Sequence, residues 1–270
     1  MKKFELTTEF ITNAFGKKLF RIKALVEFGD VKAGELGGYV EKEGNVSQAD
    51  NAWVYGNARV YGDARVYGDA RVSGNAWVSG NARVYGDARV SGNARVSGDA
   101  RVSGNARVSG DARVSGNACV SGDARVSGNA RVYGDARVSG DAWVSGNAEV
   151  YGDAEVYGNA WARGNARVYG DARVYGDAWV SGNARVYGDA WVYGDADYAL
   201  VQGFGTEFRC TTFYRGKNKK IMVNCGCFHG DLEGFRKQVK ETRNGKIAKE
   251  YLMIADLMEY HFTSEDSSNE

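Results

Sequence analysis

The sequence predicts an all-β solenoid, a fold in which one short strand and one corner recur along a rod. A six-residue phrase, Ala-Arg-Val-Tyr/Ser-Gly-Asn/Asp, repeats almost without interruption over residues 51–196. Within the phrase, Ala and Val alternate with Arg and Tyr or Ser, as side chains do on the two faces of a strand. Gly followed by Asn or Asp then supplies a bend, because these residues tolerate left-handed backbone angles.

The valine of the phrase marks the period. It recurs at every sixth residue from Val54 to Val192, which gives 24 positions, and only Ala162 departs from the pattern. A corner every six residues, with small apolar side chains inside, is incompatible with a flat sheet. We therefore expect the backbone to coil into a prism whose rungs hydrogen-bond to the rungs above and below.

These residues resemble the hexapeptide-repeat proteins, which form left-handed parallel β-helices of triangular cross-section with about 18 residues per coil. The valine, and the alanine two residues before it, match the inward positions of that family. The resemblance implies the left hand, the three sides and, for 24 phrases, eight coils. At the usual spacing of about 4.8 Å between strands, the coils would form a rod of about 38 Å.

The first 50 residues are expected to form an N-terminal cap with the entry coils. Residues 4–7 and 19–22 alternate like strands, and residues 13–16 are typical of a hairpin turn. A cap is needed because an open coil end exposes unpaired backbone groups that would pair with another chain.

The entry into the coils is visible in the valine spacing. Val40 and Val46 are six residues apart, whereas Val46 and Val54 are eight apart. We therefore expect two extra residues, in a small bulge or loop, before the regular coils of residues 51–197.

Outward positions 18 residues apart are expected to stack in columns, one column on each face of the prism. Face one is defined by the column Trp53, Arg71, Arg89, Arg107, Arg125, Trp143, Trp161 and Trp179. The columns of faces two and three begin at Arg59 and Arg65. Serines beside the arginines of face one are small, and the corner that follows this face carries mostly Asn instead of Asp.

Face one is the candidate binding surface. Its residues predict phosphate contacts from four arginines and a stacking strip of three tryptophans. One interpretation of Arg163, which replaces Tyr or Ser, and of the void expected at Ala162 is a pocket beside that strip, but a neutral slip in the repeat is the interpretation we favour. The alternative, which we favour from the sequence alone, is a solvated face whose arginines interleave with Tyr, Ser and corner Asp, as repeat duplication would produce. The candidate ligand-binding residues are Arg71, Arg89, Arg107, Arg125, Trp143, Trp161, Arg163 and Trp179.

Residues 198–270 are expected to form a small α+β cap. Residues 208–214 and 220–225 are strand-like and are joined by a turn at residues 216–218. Asp231 is placed to N-cap a helix that ends near residues 244–245, and a second helix follows. The polar tail, residues 264–270, is expected to fray.

Two flanking segments carry a second resemblance. The run Cys225-Gly226-Cys227-Phe228 within residues 223–252, and the entry from residues 21–25 to 37–39, resemble the flanks of phage and prophage hexapeptide-repeat proteins. This resemblance implies a phage or prophage origin and a CGCF-type C-terminal cap. It implies no particular reaction.

Composition points to a soluble, cytoplasmic protein. The net charge is +1, so there is no global argument for nucleic acid or a membrane surface. Charged residues interrupt any apolar core near the N-terminus, and no apolar run is long enough to span a membrane. Four cysteines in 270 residues are too few for a disulfide framework.

Two kinds of chemistry remain as alternatives. Cys225, Cys227 and His229 alternate, so on one strand they would share a face, with Cys210 opposite, and this set could bind zinc. Free thiols packed in the cap are the interpretation we favour. Many hexapeptide-repeat proteins are trimeric acyltransferases that use acetyl- or acyl-CoA and a histidine base on a coil, but the histidines here, His229 and His261, lie outside the coils.

We therefore expect a non-catalytic, rigid scaffold or binding protein without a cofactor. Its expected partner is a host or phage protein or a polyanion, with no membrane partner, and the sequence leaves open a homodimer or homotrimer. The alternative is an acyltransferase-like enzyme or its inactive remnant.

Overall fold

The computed structural model describes residues 2–194, 197–206, 208–216 and 219–263, with the side chain of Arg209 left out of the description. The chain forms a β-solenoid of three parallel sheets, with an N-terminal hairpin at one end and a four-stranded sheet with two helices at the other. The solenoid prediction is confirmed.

The three sheets are the three faces predicted from the spacing. Each short strand pairs in parallel with the strand 18 residues before and after it, as Arg89 does with Arg71 and Arg107. Face one consists of Trp53–Val54 (β4), Arg71–Val72 (β7), Arg89–Val90 (β10), Arg107–Val108 (β13), Arg125–Val126 (β16), Trp143–Val144 (β19), Trp161–Ala162 (β22) and Trp179–Val180 (β25).

Face two consists of Arg59–Val60 (β5), Trp77–Val78 (β8), Arg95–Val96 (β11), Arg113–Val114 (β14), Arg131–Val132 (β17), Glu149–Val150 (β20), Arg167–Tyr169 (β23) and Arg185–Tyr187 (β26). Face three consists of Arg65–Val66 (β6), Arg83–Val84 (β9), Arg101–Val102 (β12), Cys119–Val120 (β15), Arg137–Val138 (β18), Glu155–Val156 (β21), Arg173–Val174 (β24) and Trp191–Val192 (β27).

The core of the rod is thin and uniform. Every repeat alanine and valine from Ala52 to Val192, Ala162 included, is fully buried. Full burial of a valine contributes about 1.5–3 kcal/mol relative to exposure. The three valines of each coil therefore make similar, modest contributions to its stability. The corner glycines adopt positive φ, as at Gly98 with φ 68°, which is the bend expected from the phrase.

The N-terminal cap extends face two. Phe4–Thr12 (β1) and Lys18–Ala24 (β2) form an antiparallel hairpin, β2 pairs with Leu36–Val40 (β3), and β3 pairs in parallel with β5. The expected hairpin turn is confirmed, with the Asn13 Oδ1 accepting from the backbone N–H of Phe15 at 2.9 Å.

An additional rung precedes the first regular coil. Val40 pairs with Val60 and Val46 with Val66, so this coil has 20 residues instead of 18. The two extra residues predicted from the valine spacing are therefore present. A short 3-10 helix, Glu43–Asn45, connects the two valines.

The C-terminal cap is a sheet between the end of the rod and two helices. Its strands are Tyr198–Phe204 (β28), Arg209–Arg215 (β29), Ile221–Cys225 (β30) and Phe228–Asp231 (β31), all antiparallel. The helices are Leu232–Thr242 (α1) and Gly245–Thr263 (α2). The sequence predicted β29, β30 and both helices, and it missed β28 and β31.

Alternate residues of the cap sheet belong to different cores. Tyr214 belongs to the core cluster of the rod and donates its hydroxyl to Tyr187 O at 3.0 Å, whereas Phe213 packs with Phe235 of α1 in a separate cluster. Asp231 caps α1 as predicted, since its side chain accepts from Gly234 N–H at 2.9 Å. The expected turn at residues 216–218 and the tail at 264–270 fall largely outside the described residues.

Candidate functional site

The arginine column of face one stands exposed along the middle of the rod. Arg89, Arg107 and Arg125 are exposed at neighbouring rungs. Among the residues that the structure describes, no carboxylate lies within ion-pair distance of Arg89 or Arg107. Arg71, at the N-terminal end of the column, does pair with a carboxylate, because its guanidinium lies 2.5 Å from Asp30 of the cap.

The tryptophans of face one continue the same column. The ring of Trp161 lies edge-to-face against Trp143 at 4.8 Å and against Trp179 at 5.2 Å, between ring centroids. Trp143 donates from Nε1 to Ser127 Oγ at 3.1 Å. The structure therefore brings the predicted stacking residues into one continuous strip.

Two arginines contact the ends of this tryptophan strip. The guanidinium carbon of Arg163 lies 4.9 Å from the ring centre of Trp179, and that of Arg125 lies 5.8 Å from Trp143. Both distances lie in the range of cation–π attraction. The column thus changes from arginine to tryptophan without a gap, and Arg163 stands beside it where other phrases have Tyr or Ser.

Trp53 is the exception to the predicted outward column. It is fully buried, because the N-terminal cap folds over it and places the rings of Phe4 and Phe28 edge-to-face against the indole at 5.8 and 5.3 Å. Lys3 covers the same ring cluster at 4.6 Å from Phe28, and burial lowers the pKa of Lys3 to about 8. At this end of the rod, the outward side chain, Trp53, therefore packs against the N-terminal cap.

The other two faces differ from face one in their charges. Glu149 on face two lies between Arg131 at 3.5 Å and Arg167 at 3.4 Å, and Glu155 on face three lies between Arg137 and Arg173 at 3.8 and 3.7 Å. On face two, Trp77 is also placed between two arginines. The column of face one contains no carboxylate.

The corner that follows face one carries a ladder of amides. Asn129 donates to Asn147, Asn147 to Asn165, and Asn165 to Asn183, each from Nδ2 to Oδ1 at 3.0–3.1 Å. Because these side chains satisfy one another, this edge of the prism is polar but almost uncharged. The predicted neutral edge is therefore an ordered hydrogen-bonded strip.

A tyrosine column on face two was not singled out from the sequence. Tyr133, Tyr151, Tyr169 and Tyr187 stack at 4.6–4.9 Å between ring centroids, and His229 of the cap covers the last ring at 3.8 Å. The tyrosines could have been found from their 18-residue spacing, whereas no sequence signal places His229 on them. Burial lowers the pKa of His229, which favours a neutral ring in this packing.

The predicted cysteine–histidine cluster is not assembled, and the prediction that Cys225, Cys227 and His229 share a strand face is wrong. Gly226 and Cys227 form a two-residue turn between β30 and β31, so Cys225 pairs with Phe228 and His229 with Asn224. Cys225 therefore packs toward the helices, while His229 faces the rod. Cys210 donates to Asn183 O at 3.5 Å on the rod side.

Within the part of the chain that the structure describes, no three His, Cys, Asp or Glu side chains converge on a point suited to a metal ion. The signal that could have shown the turn is Gly226, whose φ of 62° suits a two-residue hairpin. In the same described residues, no helix has the length and apolar character needed to cross a bilayer.

One family comparison bears on this arrangement. The family described as YdcK Beta solenoid repeat matches residues 64–80, 76–92, 82–98, 88–104, 100–116, 106–122, 112–128, 124–137, 130–146, 166–182 and 178–194, all within the coils. No curated protein matches the chain. Together, the matched repeats and the three parallel sheets establish a repeat β-solenoid protein.

Proposed function

We propose that this protein is a non-catalytic, rigid binding protein that holds a linear polyanion along face one. The supporting observation is the exposed column of Arg89, Arg107 and Arg125, which has no carboxylate of its own and runs directly into the tryptophan strip. Phosphate, sulfate or carboxylate groups spaced along a polymer would pair with successive rungs.

The charge arrangement favours an anionic partner. Neighbouring rungs are about 4.8 Å apart, and two like charges at that distance repel by about 1 kcal/mol even in water. On faces two and three, Glu149 and Glu155 relieve part of that repulsion within the protein. On face one the relief would come from a ligand.

The tryptophan strip would add contacts for flat groups. Stacking of a nucleobase on an aromatic side chain contributes about 1–3 kcal/mol per base, and sugar rings also pack on such surfaces. The strands of Trp143 and Trp161 are paired on both sides and that of Trp179 on one, so the strip needs little reorganisation to bind. Rigidity is the contribution of the solenoid to this function.

The experiment is a comparison of two charge-reversed variants. Arg89→Glu combined with Arg107→Glu removes the face-one column, and Arg83→Glu combined with Arg101→Glu makes the same change on exposed positions of face three. The probes are a heparin oligosaccharide and a 20-nucleotide oligothymidine, titrated at several salt concentrations by fluorescence anisotropy.

We expect the face-one variant to lose about tenfold or more in affinity and part of its salt dependence, because each phosphate pair contributes a slope of about 0.7 for single strands. The face-three variant should bind nearly as the wild type does. Equal losses in both variants, or no binding of either probe by the wild-type protein, would reject face one as the binding surface.

The expected setting of this function is the cytoplasm, in a protein of phage or prophage origin. The proposal is supported by the resemblance of the entry segment and of the Cys225-Gly226-Cys227-Phe228 run to phage-type flanks. A protein partner from the host or phage, and a homo-oligomer, remain alternatives to the polyanion. Affinity capture from host cytoplasm, with light scattering of the purified protein, distinguishes these outcomes.

A further inference from the structure

A polar cleft of about 480 Å³ lies where the C-terminal cap meets the last rungs of face two. Its walls include Glu149, Arg167, Arg185, Asn183, Gln202 and Cys210. It lies on the other side of the Asn corner from face one, so it is separate from the surface proposed above. A volume of several hundred cubic ångströms suits a small molecule.

The cleft is formed by the overhang of the cap. The outward column of face two and the Asn corner run along the rod to its C-terminal end. There, strands β28 and β29 of the cap lie beside the last rung and form the end wall of the cleft. Two contacts hold this overhang in place: Arg185 N–H donates to Thr212 Oγ1 at 3.0 Å, and Cys210 Sγ donates to Asn183 O at 3.5 Å. Gln202 of β28 completes the end wall.

The charge in the cleft is unbalanced toward positive. Glu149 is held by Arg131 and Arg167, at 3.5 and 3.4 Å, so its charge is already matched within the column. Arg185 is the last residue of that column, and no carboxylate among the described residues lies within ion-pair distance of it. Its planar guanidinium is suited to bind a carboxylate or phosphate through two parallel hydrogen bonds.

Amide groups supply a second kind of contact. Along the corner each Asn Nδ2 donates to the next rung, and Asn183 receives such a bond from Asn165 at 3.0 Å. No further rung follows Asn183, and its own Nδ2 has no acceptor among the described residues. Together with Gln202, it offers donors and acceptors of the kind that hydroxyl groups need.

We propose that this cleft binds a small hydroxylated anion, a sugar phosphate or a sugar acid. The phosphate or carboxylate lies on Arg185, and hydroxyl groups bond to the amides of Asn183 and Gln202. The half-buried thiol of Cys210 lines the same cleft and therefore reports on what enters it. Burial raises the pKa of this thiol, which slows its reactions but does not alter which reagent the cleft attracts.

The test compares two alkylating reagents at Cys210, anionic iodoacetate and neutral iodoacetamide, by peptide mass spectrometry. Both reagents attack the same thiolate, so the ratio of their rates cancels the pKa of the thiol. The exposed thiol of Cys227 is the internal control. Arg185→Gln removes the proposed anion contact but keeps the backbone bond to Thr212, and Arg113→Gln is a matched change at a distant rung of face two.

We expect the iodoacetate-to-iodoacetamide ratio at Cys210 to exceed that at Cys227 by about tenfold, because a charged cleft concentrates counter-ions. Arg185→Gln should reduce the ratio to the Cys227 value, and Arg113→Gln should leave it high. A ratio at Cys210 equal to that at Cys227, or one that Arg185→Gln does not change, would overturn the proposal.

A calorimetric titration covers the case in which Cys210 reacts with neither reagent. Glucose 6-phosphate and gluconate are the two anionic probes, and glucose is the neutral control. Binding of either anion by the wild-type and Arg113→Gln proteins, but not by Arg185→Gln, supports the site and identifies the anionic group it prefers. The absence of binding heat from either anion at concentrations up to about 10 mM, a range that detects even millimolar dissociation constants, overturns it.

Discussion

The corner glycine carries the tightest constraint on any single residue of the rod. At Gly98 a Cβ atom would lie 3.0 Å from both the backbone N and the backbone O of Gly116 on the next rung. The same residue has φ 68°, a conformation that side chains other than glycine rarely adopt. Two separate effects therefore require glycine at this position, the positive φ and the close approach of the next rung. Gly182 has the positive φ without the close approach, so a comparison of the two glycines distinguishes the effects.

We predict that Gly98→Ala is more destabilising than Gly182→Ala. Gly182 also has positive φ, at 64°, but nothing lies near its missing Cβ because the next rung is absent there. Gly182→Ala should cost about 1–2 kcal/mol from backbone strain alone, and Gly98→Ala about 1–3 kcal/mol more from the clash. Urea unfolding of both variants measures the difference, and equal costs would show that the rungs are less closely stacked.

A second prediction at this scale concerns Ala162, the one alanine at a valine position. Valine is fully buried at both neighbouring rungs of face one, Val144 and Val180, so the backbone there accommodates it. Ala162→Val should stabilise the protein by about 1.5 kcal/mol, the value of two buried methyl groups.

The control for Ala162 is Ala160→Val, a change at the small inward position where extra volume overpacks the coil. Thermal unfolding of both variants provides the comparison. A lower midpoint for Ala162→Val would contradict the prediction and would show that the coil at Trp161 is packed differently from its neighbours.

At the scale of elements, helix α1 depends on one capping side chain. Asp231 accepts from Gly234 N–H at 2.9 Å and from Lys220 at 3.2 Å, and these bonds, the backbone one first, hold its pKa below the usual range. A carboxylate with a depressed folded pKa stabilises the fold above its unfolded pKa, near 3.9, and this contribution is lost as pH falls through the folded value.

We predict that Asp231→Ala costs about 1 kcal/mol at neutral pH, the usual value of a helix cap. The difference from the wild-type protein should shrink as the pH falls below about 4, where the carboxylate becomes protonated. Asp231→Asn is the control, because its neutral amide oxygen can cap the helix at any pH. Urea unfolding at neutral pH and below about pH 4 measures the stability cost of Asp231→Ala under the two conditions. A cost that does not depend on pH would refute the prediction.

The elements also show where sequence reasoning succeeded and where it could not. The columns of all three faces follow from the 18-residue spacing, because parallel in-register pairing repeats one local rule. Burial of Trp53 could not be predicted in this way, since it depends on where the cap places Phe4 and Phe28. The expected shared strand face of Cys225, Cys227 and His229 is not formed, because a two-residue turn at Gly226 divides these residues between two strands.

The candidate sites also contain residues that the repeat predicts and residues that it does not. Arg89, Arg107 and the tryptophan strip belong to the repeat, and the structure brings them together as the spacing predicted. The cleft beside Arg185 requires Gln202 and Cys210, which come from strands with no period. No repeat rule states how a cap lies over the last coil, so this cleft is visible only in three dimensions.

At the scale of the whole molecule, one geometric rule places the outward side chains: residues 18 apart stand side by side, and residues six apart lie on different faces. Arg89 pairs with Arg107 across neighbouring rungs, whereas Arg95 belongs to another sheet. The binding surface, the amide ladder and the tyrosine column all follow from this arrangement.

Disulfide trapping tests this statement directly, in a protein whose four native cysteines are replaced by serine. Paired strands place Cα atoms about 4.8 Å apart, within the range that a disulfide can bridge. We predict that Arg89→Cys with Arg107→Cys forms an intramolecular disulfide on mild oxidation, and that Arg89→Cys with Arg95→Cys does not. Cross-linking of the second pair but not the first would contradict the stacked columns and every surface assigned from them.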